Sequence, residues 1–254
     1  MPFAAFFDIL GTSRIFTGLA DDYRFEGDEW EYGGYAYARR EFHRGLEAAV
    51  DLAPRGFLFR ASFSDCGYLI YDDPASLLLA AGTAIRWFYR CAPVRGGIGY
   101  GNFGLGTTLH SSNARGTSTE ASFFGSALVR AHAAEACGLK GLRALVHDSA
   151  AYRLSNVQGV DFVCPIYDYM QHEEGDERPP TLPATVIRLA TESAQGVSHE
   201  LCFIGHDDTD RYFRSLEMLQ RQFPPDGEAL QHYQRSKEAL HYFQSLRMGN
   251  LTRR

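Results

Sequence analysis

Two short apolar stretches of this chain each contain one aspartate, and together they limit the folds that the chain can adopt. The first runs over residues 4–10 and contains Asp8, and the second runs over residues 59–70 and contains Asp65. Both stretches are rich in aromatic and aliphatic residues, which predicts strands. An ionised carboxylate inside a buried strand costs several kcal/mol unless a positive group compensates for it. We therefore expect a sheet that brings positive charge or a cation to both aspartates.

The segments that follow these strands predict a split βαβ plan. Residues 35–50 place Phe42, Leu46 and Ala49 at helical spacing, which indicates an amphipathic helix. Residues 57–71 then favour a β-hairpin with Asp65 at its tip. The remaining predicted elements are a helix that starts at Asp73-Pro74, a glycine-rich strand at 94–101, an alanine-rich helix at 124–137 and a strand at 142–147. The order β-α-β-β-α-β-α-β is that of an α+β protein with a ferredoxin-like or palm sheet flanked by helices.

The chain beyond residue 150 has a less regular pattern. We expect residues 1–150 to form a catalytic core and residues 151–254 to form a partly helical C-terminal extension that packs on the core or on a dimer partner. Within the extension, the pattern favours a strand at 186–190 and helices at 209–222 and 227–248.

Composition excludes several classes of protein. The 254 residues are 45% hydrophobic, enough for a sizeable core. A net charge of −6 argues against a nucleic-acid-binding surface. The five cysteines are scattered without Cys-x-x-Cys spacing, and the nine histidines show no zinc-binding spacing. We expect no signal peptide, because the first residues lack a basic region followed by an apolar core and a small-residue cleavage site. No run of eighteen apolar residues occurs in the sequence. We therefore expect a soluble, cytoplasmic protein with reduced thiols.

The two aspartates suggest phosphoryl chemistry. In a palm sheet the first strand and the hairpin are neighbours, so Asp8 and Asp65 would repel each other unless divalent cations bind between them. Two such ions can activate a hydroxyl and neutralise a triphosphate leaving group. The turn at Gly11, Thr12 and Ser13 is built of small residues and could present backbone N–H groups to phosphates.

Simpler interpretations remain for the same residues. Aspartate commonly caps turns, so Asp8 and Asp65 could each be a turn residue without a metal. Gly96 and Gly97 relieve packing or allow a ligand or another chain to approach the backbone closely. Arg95 is either a solvated charge at a strand end or a contact to a phosphate or a base.

Four ordered blocks resemble the class III nucleotidyl cyclases. Residues 6–13 (FFDILGTS) resemble the first metal-binding strand of that family, and residues 63–68 (FSDCGY) resemble its metal-binding hairpin. Residues 94–101 (VRGGIGYG) are similar to its Arg-x-Gly-Ile/Val-x-x-Gly strand. Phe124-Gly125, followed by Ala131, resembles its later aromatic-Gly…Ala helix. Together the blocks cover roughly residues 4–147.

The resemblance implies a two-metal enzyme. Asp8, the carbonyl of Ile9 and Asp65 would hold two Mn²⁺ or Mg²⁺ ions. The 3′-oxygen of a nucleoside triphosphate would attack its α-phosphorus, and pyrophosphate would leave. The resemblance also implies a head-to-tail homodimer with two sites at the interface. We expect the triphosphate to contact Gly11, Thr12, Ser13 and Arg95.

Departures from the family pattern suggest which base is bound. Purine cyclases of this family carry a Lys or Glu where this chain has Ala61, and a polar or acidic base reader where it has Ser122. On the following helix, the Asn and Arg of the purine cyclases correspond to Val129 and Ala133 of this chain. The missing purine readers make the chain similar to the bacterial pyrimidine cyclases of Pycsar antiphage defence, in which a separately encoded effector binds the cyclic nucleotide. Ala61 and Ser122 would line the base, and the Ser122 hydroxyl can satisfy either pyrimidine edge. Of the two pyrimidine substrates we expect UTP, with CTP as the alternative.

Other interpretations stay open at this stage. The chain could make cyclic CMP, or, against the pattern, a purine product. The missing Asn and Arg also suit a catalytically silent, cyclase-like dimer that binds nucleotide. A purely structural α+β interaction domain would respond to neither metal nor triphosphate.

Overall fold

The strand that carries Asp8 lies inside a mixed sheet of seven strands. The computed structural model describes residues 1–10, 34–106, 109–113, 116–120, 122–166, 196–204, 209–223 and 227–251. The strands of the large sheet are β1 (Phe3–Ile9), β2 (Phe57–Ser62), β3 (Cys66–Tyr71), β4 (Val94–Tyr100), β9 (Ala144–His147), β10 (Phe162–Pro165) and β11 (Val197–Cys202). Their spatial order is β10-β11-β9-β4-β1-β3-β2.

Helices and two small two-stranded sheets complete the described elements. The helices are α1 (Gly34–Leu52), α2 (Pro74–Phe88), α3 (Ser126–Glu135), α4 (Asp148–Leu154), α5 (Thr209–Gln222) and α6 (Gly227–Leu251). The short strands β5 (Gly104–Leu105), β6 (Leu109–Asn113), β7 (Gly116–Glu120) and β8 (Phe123–Phe124) lie between β4 and α3, where β5 pairs with β8 and β6 pairs with β7. In these ranges no helix has both the length and the apolar character needed to cross a membrane.

The first four strands have the split βαβ arrangement that the sequence predicts. They lie in the order β4-β1-β3-β2, and every neighbouring pair is antiparallel. Helix α1 connects β1 to β2, and helix α2 connects β3 to β4. The parallel pairing of β4 with β9 makes the sheet mixed. The expected α+β class, with a palm-type sheet flanked by helices, is therefore confirmed.

Alternation along β1 assigns its side chains to two different layers. Phe3, Ala5 and Phe7 belong to the large core that includes the apolar faces of α1 and α2, whereas Ala4 and Phe6 pack in a smaller cluster with α3. Because strand side chains alternate between faces, Asp8 shares the α3 side with Ala4 and Phe6. The candidate site therefore lies on the α3 side of the sheet.

Both crossover helices form as the sequence predicts. In α1, the side chains of Phe42, Leu46 and Ala49 are fully buried. Asp73 caps α2, because its carboxylate accepts hydrogen bonds from the backbone N–H and the hydroxyl of Ser76 at 2.9 and 2.7 Å. Pro74 occupies the first position of α2, where it sacrifices no helical hydrogen bond.

The glycines of β4 allow α3 to lie directly on the sheet. A Cβ atom at Gly97 would stand 2.0 Å from the carbonyl oxygen of Ala131 and 2.5 Å from the backbone N of Glu135. A Cβ at Gly99 would stand 2.5 Å from the backbone N of Ala131. The close contact at these glycines is therefore the packing of a helix of the same chain, as in the simpler interpretation. Approach of a ligand or of another chain stays a prediction.

Residues beyond 150 contribute two strands that the sequence analysis did not predict, β10 and β11. They extend the sheet past β9, and their buried residues belong to the main core. Helices α5 and α6 form where the pattern predicts them and add Leu216 and Leu240 to that core. The predicted strand at 186–190 lies outside the described residues, and the division of the chain at residue 150 stays a prediction.

Candidate active site

Asp8 and Asp65 come together where β1 meets the β2–β3 turn. The backbone N–H of Ile9 donates a hydrogen bond to the carbonyl oxygen of Asp65 at 2.8 Å. Asp8 lies opposite Cys66 in the β1–β3 register. The hydroxyl of Ser64 donates to Oδ1 of Asp65 at 2.8 Å, which orients that carboxylate within the turn. The two aspartates that the sequence analysis pairs are therefore neighbours in the fold.

The surroundings of Asp8 disfavour its negative charge. Burial raises the pKa of Asp8 from its ordinary value of 3.8 to about 7, and the charges of Glu135 and Asp65 add to this effect, whereas Arg95 opposes it. Burial also raises the pKa of the neighbouring Cys66 thiol to about 11, again with a contribution from both aspartates. The corner of the sheet thus carries an excess of negative charge that a bound cation would relieve.

Arg95 lies on the neighbouring strand, directly opposite Asp8 in the β1–β4 register. Its Nε atom donates to Oε1 of Glu135 at 2.5 Å, and its terminal nitrogen pairs with the same oxygen. The side chains of Arg95 and Glu135 are only 16% and 5% exposed. Arg95 is therefore a partly buried, paired cation in this chain, and its contact to a triphosphate stays a prediction.

Glu135 lies at this corner but is not among the site residues predicted from the sequence. This residue ends the alanine-rich helix α3 and is almost fully buried. A signal was present, because Ala127, Ala131 and Glu135 follow one another at four-residue spacing, which places them on one helix face. Ala127 and Ala131 pack against β1, so a carboxylate on the same face points to a partner on the sheet.

The donor atoms at this corner fit a hard divalent cation. Asp8, Asp65 and the backbone of Ile9 offer oxygen ligands, the type that Mg²⁺ and Mn²⁺ prefer. Within the described ranges, no group of three or more His, Cys, Asp or Glu side chains is placed to hold a metal ion. Mg²⁺ is usually bound by one or two carboxylates together with substrate phosphates, so two aspartates are sufficient for a site that is completed by a triphosphate.

The residues predicted to contact the base are described by the structure, whereas most of those predicted to contact the phosphates are not. Gly11, Thr12 and Ser13 lie outside the described residues. Ala61 is half-buried on β2, opposite Tyr68. Ser122 is exposed, and its carbonyl accepts a hydrogen bond from the N–H of Gly106 at 2.6 Å.

An aromatic cluster joins the surroundings of Ala61 and Ser122. The ring of Phe123, next to Ser122, lies 5.4 Å from that of Phe59, 5.6 Å from that of Tyr68 and 5.9 Å from that of Phe63. These rings are on or beside the β2–β3 hairpin that also carries Asp65. Ala61 and Ser122 therefore adjoin one cluster, although no contact between the two is described.

A groove of about 460 Å³ opens beside this cluster. Its lining is mostly apolar and consists of Tyr68, Phe123, Phe124, Gly125, Leu128, Val129 and His132. Burial raises the pKa of Tyr68, and the charges of Cys66, Glu135 and Asp8 contribute, so the groove borders the acidic corner. Phe124 and Val129 are 62% and 69% exposed along the same face.

Comparisons with known proteins found similarity at the level of solved structures. No family model and no curated protein matches the chain. The guanylyl cyclase Cya2 is 11% identical with a TM-score of 0.47, over 82% of this chain and 94% of that one. The guanylate cyclase domain of RhGC from Catenaria anguillulae, in complex with GTP, is 12% identical with a TM-score of 0.44, over 79% and 93%. The adenylyl cyclase CyaB from P. aeruginosa is 12% identical with a TM-score of 0.42, over 79% and 92%. Likeness at this level carries no inference about substrate or chemistry.

Proposed function

We propose that this protein is a metal-dependent uridylate cyclase that converts UTP into cyclic UMP and pyrophosphate. The observation that carries the proposal is the meeting of Asp8 and Asp65 at one corner of a palm-type sheet, where the N–H of Ile9 bonds to the carbonyl of Asp65. Both carboxylates were predicted from the sequence as ligands of a two-metal site. Their shared corner carries an excess of negative charge that Arg95 offsets only in part, which suits a cation-dependent reaction.

The proposed reaction is an intramolecular phosphoryl transfer. The 3′-hydroxyl of UTP gives up its proton to solvent, and its oxygen forms a bond to the α-phosphorus. The bond between that phosphorus and the bridging oxygen breaks, and the electron pair leaves with pyrophosphate. Asp8, Asp65 and the carbonyl of Ile9 would hold two Mn²⁺ or Mg²⁺ ions. Bound there, these ions would supply charge neutralisation for the triphosphate and activation of the attacking hydroxyl. Gly11, Thr12, Ser13 and Arg95 would orient the phosphates.

The base would lie against the aromatic cluster. A planar base can stack on rings such as those of Phe123 and Tyr68, and such stacking is tolerant of base identity. Ala61 and Ser122 would line the base edge, and neither side chain supplies a charge for reading a purine. Because the Ser122 hydroxyl can satisfy either pyrimidine edge, conversion of CTP into cyclic CMP is the alternative.

The working form would be a homodimer with its sites at the interface. Phe124 and Val129 expose large apolar surfaces beside the groove, which suits a face that is covered by a second copy. The cyclic nucleotide would act as a second messenger for a separate effector protein in antiphage defence.

Product analysis with each nucleotide tests the substrate. The purified protein would be incubated with Mn²⁺ and with ATP, GTP, CTP or UTP in separate reactions, and the products would be separated by chromatography. We expect cyclic UMP as the dominant product. Cyclic AMP or cyclic GMP as the dominant product would reject the pyrimidine assignment.

A second candidate function is a catalytically silent dimer that binds nucleotide. Val129 and Ala133 are exposed at the helix positions where the resemblance expects Asn and Arg, so these positions offer no polar group to a ribose or a phosphate. Tight nucleotide binding without turnover in Mn²⁺ or Mg²⁺ would favour this function over the cyclase.

A further inference from the structure

The Arg95–Glu135 ion pair lies beside Asp8, and Glu135 has no assigned role in the proposed reaction. Arg95 faces Asp8 across the β1–β4 ladder, but its guanidinium bonds to Glu135. Among the described residues, no ion pair joins Arg95 to Asp8. The guanidinium thus has two carboxylates nearby and is paired with one of them.

The backbone position of Glu135 is fixed independently of this pair. Its backbone N lies 2.5 Å from where a Cβ of Gly97 would be, so the end of α3 sits directly on β4. Gly97 is two residues from Arg95 on the same strand, and its β1 partner is Phe6, two residues from Asp8. The contact between Gly97 and the end of α3 therefore fixes the position of the Glu135 backbone next to Arg95.

Removal of Glu135 would leave Arg95 with a different partner. An unpaired guanidinium that is only 16% exposed is costly, so it would turn to the nearest carboxylate. Asp8 is that carboxylate, since it lies opposite Arg95 in the β1–β4 register and the charge of Arg95 already lowers the pKa of Asp8. An Asp8 that is paired with Arg95 competes poorly for a cation.

We propose that Glu135 is a positioning residue that holds the Arg95 guanidinium away from Asp8 and so keeps Asp8 available as a cation ligand. The part of this proposal that concerns the cation rests on the proposed function. The pairing of the three side chains does not, and it can be tested in metal-free protein.

The first experiment measures thermal unfolding in EDTA at pH 8.5. In the wild-type background, Asp8→Asn removes a buried and repelled charge, so the melting temperature should rise. In a Glu135→Gln background, Asp8 would be the partner of Arg95, so the same Asp8→Asn change should lower the melting temperature. A rise of similar size in both backgrounds would overturn the proposal, whether or not the protein is a cyclase.

The second experiment measures Mn²⁺ affinity without nucleotide, from the electron paramagnetic resonance signal of free Mn²⁺. Glu135→Gln should weaken Mn²⁺ binding about 10-fold or more, as loss of a group behind a metal ligand commonly does. Addition of Arg95→Gln to that variant should return the affinity towards the wild-type value, because the competing cation is gone. An unchanged affinity in Glu135→Gln, or a double variant as weak as the single one, would overturn the proposal.

A matched variant distinguishes a positioning role of Glu135 from a general loss of stability. Asp161 pairs with Arg86 of α2 in a similarly buried ion pair, with side chains 3% and 23% exposed. Asp161→Asn should lower the melting temperature and leave Mn²⁺ affinity unchanged. If the wild type binds no Mn²⁺ while the sign of the Asp8→Asn effect still reverses, the proposed function fails and the positioning role of Glu135 stands.

Discussion

A charged Asp8 lowers the stability of the folded chain. It is partly buried, it is close to the charges of Asp65 and Glu135, and its pKa is raised to about 7. A neutral side chain at this position would remove that penalty. The cost is explicable if the carboxylate serves a function that needs negative charge, such as binding a cation.

The raised pKa of Asp8 predicts how stability depends on pH in metal-free protein. Below pH 4 the group is protonated in both the folded and the unfolded chain and has no effect. Between pH 4 and pH 7 the folded chain holds the proton more tightly, so stability falls as pH rises, and above pH 7 the full penalty is present. Asp8→Asn should therefore stabilise the protein at pH 8 by about 1 to 2 kcal/mol, after allowance for solvent screening, and have little effect at pH 4.

Urea unfolding at the two pH values measures this difference. Asp51→Asn, a change at an exposed residue of α1, is the control and should give the same small effect at both. An Asp8→Asn variant that is less stable than the wild type at pH 8 would contradict the electrostatic account of this corner.

At the residue scale, the sequence was informative about the pair of aspartates and uninformative about their neighbour. Asp8 and Asp65 interrupt apolar strands, which is a local signal. Glu135 does not break an apolar pattern, because a glutamate at the end of an alanine-rich helix is expected on a solvent-exposed face. Only the fold, through the packing of α3 on β4, turns Glu135 into a buried partner of Arg95.

The contact between α3 and β4 is the element-scale feature that positions the site. Gly97→Ala would add a Cβ 2.0 Å from a backbone oxygen of α3 and 2.5 Å from a backbone nitrogen, and neither atom can move without the helix. We expect a loss of about 2 to 3 kcal/mol in the free energy of unfolding, the upper range for overpacking. The displaced helix should also disturb the Arg95–Glu135 pair at its end.

Urea unfolding of Gly97→Ala checks the loss, and Gly159→Ala provides a matched control. Gly159 is exposed, and the nearest atom to a Cβ there would be 3.5 Å away, which is an ordinary contact. The control should change stability by less than about 0.5 kcal/mol. Equal stability of the two variants would mean that α3 does not rest on β4 as described.

Element prediction succeeded for segments with a local signal and failed for strands that depend on distant partners. The capped helix α2 and the hairpin that holds Asp65 are set by local chemistry. Strand β11 carries Glu200, a charge that breaks the apolar pattern of a buried strand. That charge is fully buried and paired with Arg143, and strands β11 and β9 lie some fifty residues apart in the chain, so no local rule predicts the pairing.

At the scale of the whole molecule, the exposed apolar face beside the groove predicts self-association. Val129→Asp would place a charge on a face that a second copy is proposed to cover, so dimerisation should weaken about tenfold or more. Tyr152→Asp on α4 is the control, because Tyr152 is 78% exposed and lies away from the groove. Sedimentation velocity should show a dimer for the wild type and for the control, and a monomer for Val129→Asp. A monomeric wild type would refute the dimer.

The sheet order shows how far the sequence determines the molecule. The β4-β1-β3-β2 arrangement follows from the order of the elements, because a split βαβ chain has few ways to pair its strands. The two further strands and the α5 and α6 contacts come from a part of the chain with weaker periodicity. The meeting of Asp8 and Asp65 was predictable because both residues lie in the β4-β1-β3-β2 part of the sheet.

The most direct test of the central claim compares UTP turnover by the wild type, Asp65→Ala and Asp51→Asn in Mn²⁺. Asp65 lies in a partly exposed turn, so Asp65→Ala should fold normally, which circular dichroism would check. We expect cyclic UMP formation by the wild type and by Asp51→Asn, and a loss of about 100-fold or more in Asp65→Ala. Full activity in folded Asp65→Ala would contradict the central claim.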